Sequence, residues 1–272
     1  MIEQIGVSFD WQSVNAKTFP SLSDNELHLW WLPLTLNQQE SERALTLLSD
    51  IQRDKYHRRM TPELKQSYLA GRYYLLTLLG LYTNCDPEDV ELSYSRLNKP
   101  YLSHKETHLQ FNFTDTVYEN DYFGLFGFTR AGAVGVDIES RYRDMDLTKL
   151  IARRFTASER DYIIENDGHI NQARGLSVWT RKEAYGKATG QGINFKMNQQ
   201  NLVDSLNIAD PLKTVDPLEA QKAPTGGFNF IDKNSEKWRC LPMHLDDHFV
   251  ATCVYAGDKP LRVSAFNSLQ HV

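Results

Sequence analysis

Gly135-Val136-Asp137-Ile138-Glu139 is a short apolar stretch carrying two carboxylates where a strand ordinarily carries more Val or Ile. Val134, Val136 and Ile138 alternate with Gly135, Asp137 and Glu139, the period-two signature of a strand with one face on a core. Both carboxylates therefore fall on the other face. Residues i and i+2 of a strand lie ~7 Å apart, close enough for two acids to share one hard cation such as Mg²⁺. An isolated D-x-E equally suits a half-buried edge strand whose polar face meets water, so the surrounding chain has to decide.

Immediately upstream, Tyr122 to Phe128 reads as a strand and Thr129 to Gly132 as a turn, which makes the D-x-E stretch the second arm of a hairpin. Phe111-Asn112-Phe113-Thr114-Asp115 is a further strand, aromatic on one face and polar on the other. Asn98-Lys99-Pro100 is a loop signal after a strand at Val90 to Tyr94. Thr61-Pro62 reads as an N-cap with proline at the first helical position, starting a helix that runs to about Gly80. Residues 37 to 59 have helical spacing, and Glu26 to Leu34 alternates as a first strand that Pro33 ends or confines to an edge. Downstream, Asp146 caps a helix to Arg154, Thr156-Ala157-Ser158-Glu159 is a capping box, and a third helix covers Gln172 to about Thr189. Residues 200 to 255 read as short strands separated by turns. The division falls near 129, giving an N-terminal half (residues 1–128) and a C-terminal half (residues 129–272), each with strands and helices in similar proportion.

The chain has 272 residues, 41% hydrophobic and 24% charged, enough to bury a substantial core and ordinary for a globular protein. No secretory signal or bilayer-spanning apolar run is visible, so the expectation is a cytoplasmic protein with no membrane partner. Cys240 and Cys253 bracket His244 and His248, and His104 and His108 form a second pair. Four-apart ligands converge on one zinc only on a helix, and neither stretch reads as helix, so the cysteines are expected as small buried hydrophobes. A net charge of -5 argues against general nucleic-acid binding. Arg53, Lys55, Arg58, Arg59, Lys65 and Arg72 nevertheless form a local basic run, suited to a small polyanion or an acidic partner.

Within the third helix, Trp179-Thr180-Arg181-Lys182-Glu183-Ala184-Tyr185-Gly186-Lys187 places Glu183 and Lys187 at i and i+4 on one face. Alone this is an ordinary surface pair. Beside an acidic strand and a basic run, three carboxylates and a lysine are the parts needed to hold Mg²⁺ on a pyrophosphate and protonate a leaving group.

These two motifs, in this order, resemble the signature pair of the 4'-phosphopantetheinyl transferases. Asn98-Lys99-Pro100 is similar to that family's Gly-Lys-Pro loop, and Phe111 to Asp115 to its Phe-Asn-x-Ser-His strand. The intervals resemble the larger, Sfp-type members, which implies an α+β fold of two similar halves forming a pseudo-dimer, each a small antiparallel sheet packed with helices. The resemblance implies transfer of the phosphopantetheine arm of coenzyme A to a serine of an apo acyl or peptidyl carrier protein, by a monomer.

It also implies roles: Asp137, Glu139 and Glu183 as Mg²⁺ ligands, Glu183 as the group taking the serine proton, and Lys187 as the group stabilising or protonating the departing phosphate. Lys182 would pair with a phosphate oxygen. Lys55, Arg72 and Lys99 would contact the coenzyme phosphates, with Thr114 on the pyrophosphate. Arg58 and Lys65 stand in reserve, and Arg141, Arg143, Arg153 and Arg154 are candidates for docking an acidic carrier. Asp115 departs from the family pattern, standing where a histidine touches a phosphate; it is expected to act through a cation or water, or to accept a hydrogen bond. Two rival readings are a Mg²⁺ nuclease and a non-catalytic binder of carrier domains. The second leaves three mutually repelling acids unexplained.

Overall fold

The computed structural model describes residues 6–103, 108–192, 196–203 and 227–270. In chain order these form β1 (Val7–Ser8), β2 (Trp11–Asn15), β3 (Glu26–Pro33), α1 (Gln38–Leu47), α2 (Asp50–His57), α3 (Pro62–Thr83), β4 (Leu92–Tyr94), β5 (Pro100–Leu102), β6 (Gln110–Tyr118), β7 (Asp121–Thr129), β8 (Val134–Ser140), α4 (Leu147–Arg154), α5 (Ala157–Ile163), α6 (Gln172–Ala188), β9 (Phe228–Ile231), β10 (Lys237–His244), β11 (Phe249–Ala256) and β12 (Arg262–Gln270). The fold is α+β, as expected. His104 and the Asp-Pro and Pro-Thr-Gly turns of residues 204–226 lie outside the described residues.

One five-stranded sheet has the order β2-β12-β3-β7-β6; another has the order β1-β10-β11-β8, with β9 also on β10. The chain's ends cross between them: β12 runs parallel between β2 and β3, while β1 runs parallel to β10. The strand reading of Glu26 to Leu34 holds, with Pro33 at its end. The strand is central rather than at an edge, paired with β12 and β7.

The hairpin expected between β7 and β8 does not form. Both edges of β7 are taken, by β3 and β6, so β8 has no ladder to join there. It pairs instead with β11, from Phe249↔Ser140 to Tyr255↔Val134. A second correction concerns residues 37–59, which fold as two helices. Leu48 turns extended at the end of α1, and Ser49 starts α2 with a capping box to Gln52. The Thr61-Pro62 start of α3 is as expected, with the Thr61 hydroxyl accepting from the Leu64 amide.

The outer edge of β8 lies against β6, where side chains replace a ladder. Asn112 Oδ1 accepts from the Val136 amide at 2.8 Å and Thr116 Oγ1 from the Ser140 amide at 3.2 Å. Asn112, Thr114 and Thr116 share one face of β6 by the period of two, so a single polar stripe satisfies edge amides that would otherwise be buried without partners. The opposite face of β6 carries Phe111 and Phe113 into a core with Trp30, Leu75, Leu79 and Phe128. Gly71 on α3 admits Phe113: a Cβ there would lie 2.7 Å from the ring.

A buried network in this core fixes β3 to α3. Trp30 Nε1 donates to Tyr82 Oη at 2.9 Å, and His28 Nδ1 lies 2.8 Å from the same oxygen. Burial pushes the His28 pKa down to about 4, against the opposing charge of Glu26. The unfolded chain takes up a proton near 6.5 that the folded chain refuses until about 4, so His28's contribution is complete above pH 6.5 and is lost as pH falls through that window. The loss approaches about 3 kcal/mol at the acid end. Urea midpoints measured from pH 7 to 4.5 are expected to fall more steeply for the wild type than for His28→Asn.

Candidate active site

On β8, Val136 and Ile138 face a core with Leu27, Leu125 and Phe249, while Gly135, Asp137 and Glu139 face α6. Every residue of β8 is buried, so the polar face meets a helix rather than water. Gly135 sets the approach: a Cβ would fall 2.1 Å from the Ala184 carbonyl oxygen, so only glycine lets α6 lie this close. The Thr180 hydroxyl, 2.9 Å from that of Thr252, pins α6 to β11 at the residue paired with Asp137.

This packing brings the α6 stripe Trp179, Glu183 and Lys187, spaced four apart, over the carboxylates. Lys187 Nζ donates to Asp137 Oδ1 at 2.6 Å and to Thr114 Oγ1 at 2.8 Å, and Thr114 reaches Asp137 Oδ1 at 3.4 Å. Asp137 Oδ2 is buried with no hydrogen-bond partner. Burial holds the Asp137 carboxyl above the usual carboxylate range, opposed by Lys187 and reinforced by Glu139 and Glu183. Glu139 Oε1 accepts from Trp179 Nε1 at 3.1 Å and from Arg143 Nη1. Glu183 makes no hydrogen bond or ion pair among the described residues. Burial raises its pKa, with Lys187, Arg154 and Arg143 opposing and Glu139 reinforcing.

As these side chains stand, no three His, Cys, Asp or Glu among the described residues converge closely enough to hold a metal. The physical reason is visible for two of the acids: Lys187 and Arg143 hold Asp137 and Glu139 as their own counter-ions. The chemistry of the set fits a hard cation nonetheless. All three donors are carboxylate oxygens, and Asp137 Oδ2 is a buried acceptor lacking a donor.

The opposite face of β6 meets a basic cluster. Arg59 and Arg72 stack on the Tyr68 ring, with guanidinium carbons 5.0 and 5.4 Å from its centroid. Asp115, next to Thr114 but on the other face, lies in the field of Lys187, Arg59 and Arg72, which oppose the upward pull of burial on its carboxyl. Its three cationic neighbours draw an anion toward the place where a carboxylate already stands. Lys55 lies 5.8 Å over the exposed ring of Tyr94. Beside this region Asp115, Tyr118, Tyr122, Glu139, Tyr142 and Arg143 help to line a cavity of about 840 Å³.

Two lysines stand elsewhere than the family resemblance implies. Lys182, assigned to a phosphate oxygen, is wholly buried: its Nζ pairs with Glu159 at 2.8 Å and donates to the Met197 and Gln200 carbonyls. The reason is helical geometry, because Lys182 lies about 140° around α6 from Lys187. Lys99, assigned to a coenzyme phosphate, donates to the carbonyls of Ala188 at 2.7 Å and Val134 at 3.2 Å, tying the end of α6 to the start of β8. Burial pulls its pKa down to about 8. Asn98, in the glycine position of that loop, adopts φ +64°, which asparagine tolerates better than most side chains.

The indole of Trp179 is a site residue that the motif reading left without a role, while Arg59 entered only as part of the basic run and Arg143 only as a candidate for docking a carrier. Trp179 carried a signal, since it shares the helical stripe of Glu183. Arg143 carried none for its place on Glu139, because a residue three positions beyond a strand end has no fixed direction. Cys240 and Cys253 are buried free thiols, with burial pushing the Cys240 thiol up to about 12.

Residues 133–253 match the model of the 4'-phosphopantetheinyl transferase superfamily, a span that holds β8, α6 and both signature motifs. Over 239 residues the chain is 29% identical to the 4'-phosphopantetheinyl transferase HetI of Nostoc sp., covering 87% of this chain and 90% of that one. A Synechocystis sp. protein provisionally named for the same activity is 31% identical over 154 residues, 56% of this chain and 61% of its own length. A phosphopantetheinyl transferase of Thraustochytrium sp. is 29% identical over 177 residues, 60% of this chain and 56% of its own. The matched span coincides with the carboxylate strand and its helix, and over it this chain is similar to the 4'-phosphopantetheinyl transferase superfamily.

Proposed function

We propose that the protein transfers the 4'-phosphopantetheine arm of coenzyme A to a serine hydroxyl of an apo acyl or peptidyl carrier protein, releasing adenosine 3',5'-bisphosphate. The observation that carries this reading is the meeting of Asp137 and Glu139 on β8 with Glu183 and Lys187 on α6, beside Thr114. Asp137, Glu139 and Glu183 would hold Mg²⁺, which supplies Lewis-acid stabilisation of a pyrophosphate.

The serine oxygen forms a bond to the β-phosphorus of coenzyme A as the pyrophosphate bond breaks. Glu183, the carboxylate without a hydrogen bond among the described residues, takes the serine proton. Lys187, already a donor to two oxygens, gives a hydrogen bond or its proton to the departing phosphate. Arg59 and Arg72 receive the coenzyme phosphates, with Lys55 farther out on α2. Asp115 acts on that site through its charge, in the field of Arg59 and Arg72, rather than by binding phosphate. Arg153 and Arg154, in the last turn of α4, face an acidic carrier, with Arg141 and Arg143 alongside. The protein acts as a cytoplasmic monomer without nucleic acid. No helix among the described residues is long and apolar enough to cross a membrane.

Intact-mass spectrometry of apo acyl and peptidyl carrier proteins, incubated with the protein, coenzyme A and Mg²⁺, tests the reading. A carrier is expected to gain the mass of one phosphopantetheine, and EDTA is expected to abolish the gain. Loss of both expected results, with no carrier modified and no coenzyme A bound, would overturn it.

A further inference from the structure

We infer that Arg143 is a displaceable counter-ion of Glu139, which neutralises this carboxylate until a divalent cation binds and must then leave it. The inference rests on the reading of Asp137, Glu139 and Glu183 as cation ligands. It goes beyond that reading by assigning a competitor built into the chain.

The chain turns back sharply at the end of β8. The Arg143 amide donates to the Ser140 carbonyl at 3.1 Å, and the Tyr142 amide to Ser140 Oγ at 3.2 Å. That turn lays Arg143 over Glu139, four residues earlier. Both donors to Glu139, the Arg143 guanidinium and the Trp179 indole, fall on Oε1, and none among the described residues bonds Oε2. The two donors differ in freedom. Trp179 belongs to α6 and is held by packing against the cores around Ala184 and Val178, whereas the Arg143 side chain is 52% exposed at the rim of the 840 Å³ cavity. Trp179 therefore fixes the carboxylate and Arg143 supplies a charge that can swing away. The field of Arg143 also reaches Glu183, so the same guanidinium offsets repulsion between two of the three acids. On the other side Lys187 does this for Asp137. A divalent ion drawn to Glu139 meets a cation already there, and two positive charges on one carboxylate repel.

Removing Arg143 should therefore tighten cation binding. Mn²⁺, a hard ion suited to oxygen ligands, serves as the probe, and its binding is read by electron paramagnetic resonance, with and without coenzyme A. Arg143→Met is expected to bind Mn²⁺ about tenfold more tightly than the wild type, equivalent to about 1.4 kcal/mol. Arg154→Met removes a charge that also acts on Glu183 but makes no bond to Glu139, and is expected to shift the affinity less than twofold. Equal or weaker Mn²⁺ binding by Arg143→Met, or an equal gain in Arg154→Met, overturns the inference while wild-type binding and carrier modification leave the proposed function standing. No Mn²⁺ binding by any of the proteins, with or without coenzyme A, overturns both the inference and the metal-ligand reading.

Discussion

Glu183→Gln is expected to lower kcat/KM for carrier modification by about a thousandfold or more while leaving the melting temperature unchanged or slightly raised. The two halves of this result have different origins. Glu183 has no hydrogen-bond partner to lose among the described residues, and burial disfavours its charge, so neutralising it relieves a cost of folding. In the proposed reaction the same carboxylate both ligates the cation and accepts the serine proton, and glutamine does neither well. Mass-spectrometric initial rates at several carrier concentrations, beside a thermal melt, check both halves. Activity within tenfold of wild type would remove Glu183 from the proton transfer.

The second large effect is on stability. Lys182→Met is expected to destabilise the protein by about 3–5 kcal/mol, or a melting temperature lower by about 10 °C, because it strands Glu159 in the interior. Both side chains are fully buried. Glu159 also accepts from the Thr156 amide at the start of α5 and from the Leu202 amide at 2.8 Å, so the ion pair joins α5, α6 and the segment after α6. The double variant Lys182→Met/Glu159→Gln should recover much of the loss, since no uncompensated charge remains. A calorimetric melt of the two variants measures this. Were Lys182 instead a phosphate contact, the single variant would melt like the wild type and raise the KM for coenzyme A, the opposite pattern.

Lys182 and Lys187 show where reading by motif stops. Both lie in one nine-residue signature, and the resemblance assigns both to phosphate. The helical period separates them by about 140°, so one faces β8 and the other the α5 side. That much was computable from spacing; which face meets the acidic strand was not.

What the sequence by itself determined is local. The alternation from Val134 to Glu139 places both acids on one face, Glu183 and Lys187 fall on one helical stripe, and Thr61-Pro62, Asp146 and Thr156 start their helices, because periods and caps depend on neighbours a few residues away. Only the tertiary structure decided the partners. β8 joins β11 more than a hundred residues later because β7 is already paired on both edges, and β12 completes the first sheet from the far end of the chain. The same holds for charge: Lys187 on Asp137, Arg143 on Glu139 and Lys99 on two carbonyls are contacts between elements. Ion pairs and edge pairings carry no sequence period, so which cation answers which carboxylate is settled when α6 closes on Gly135 and β6 meets the edge of β8.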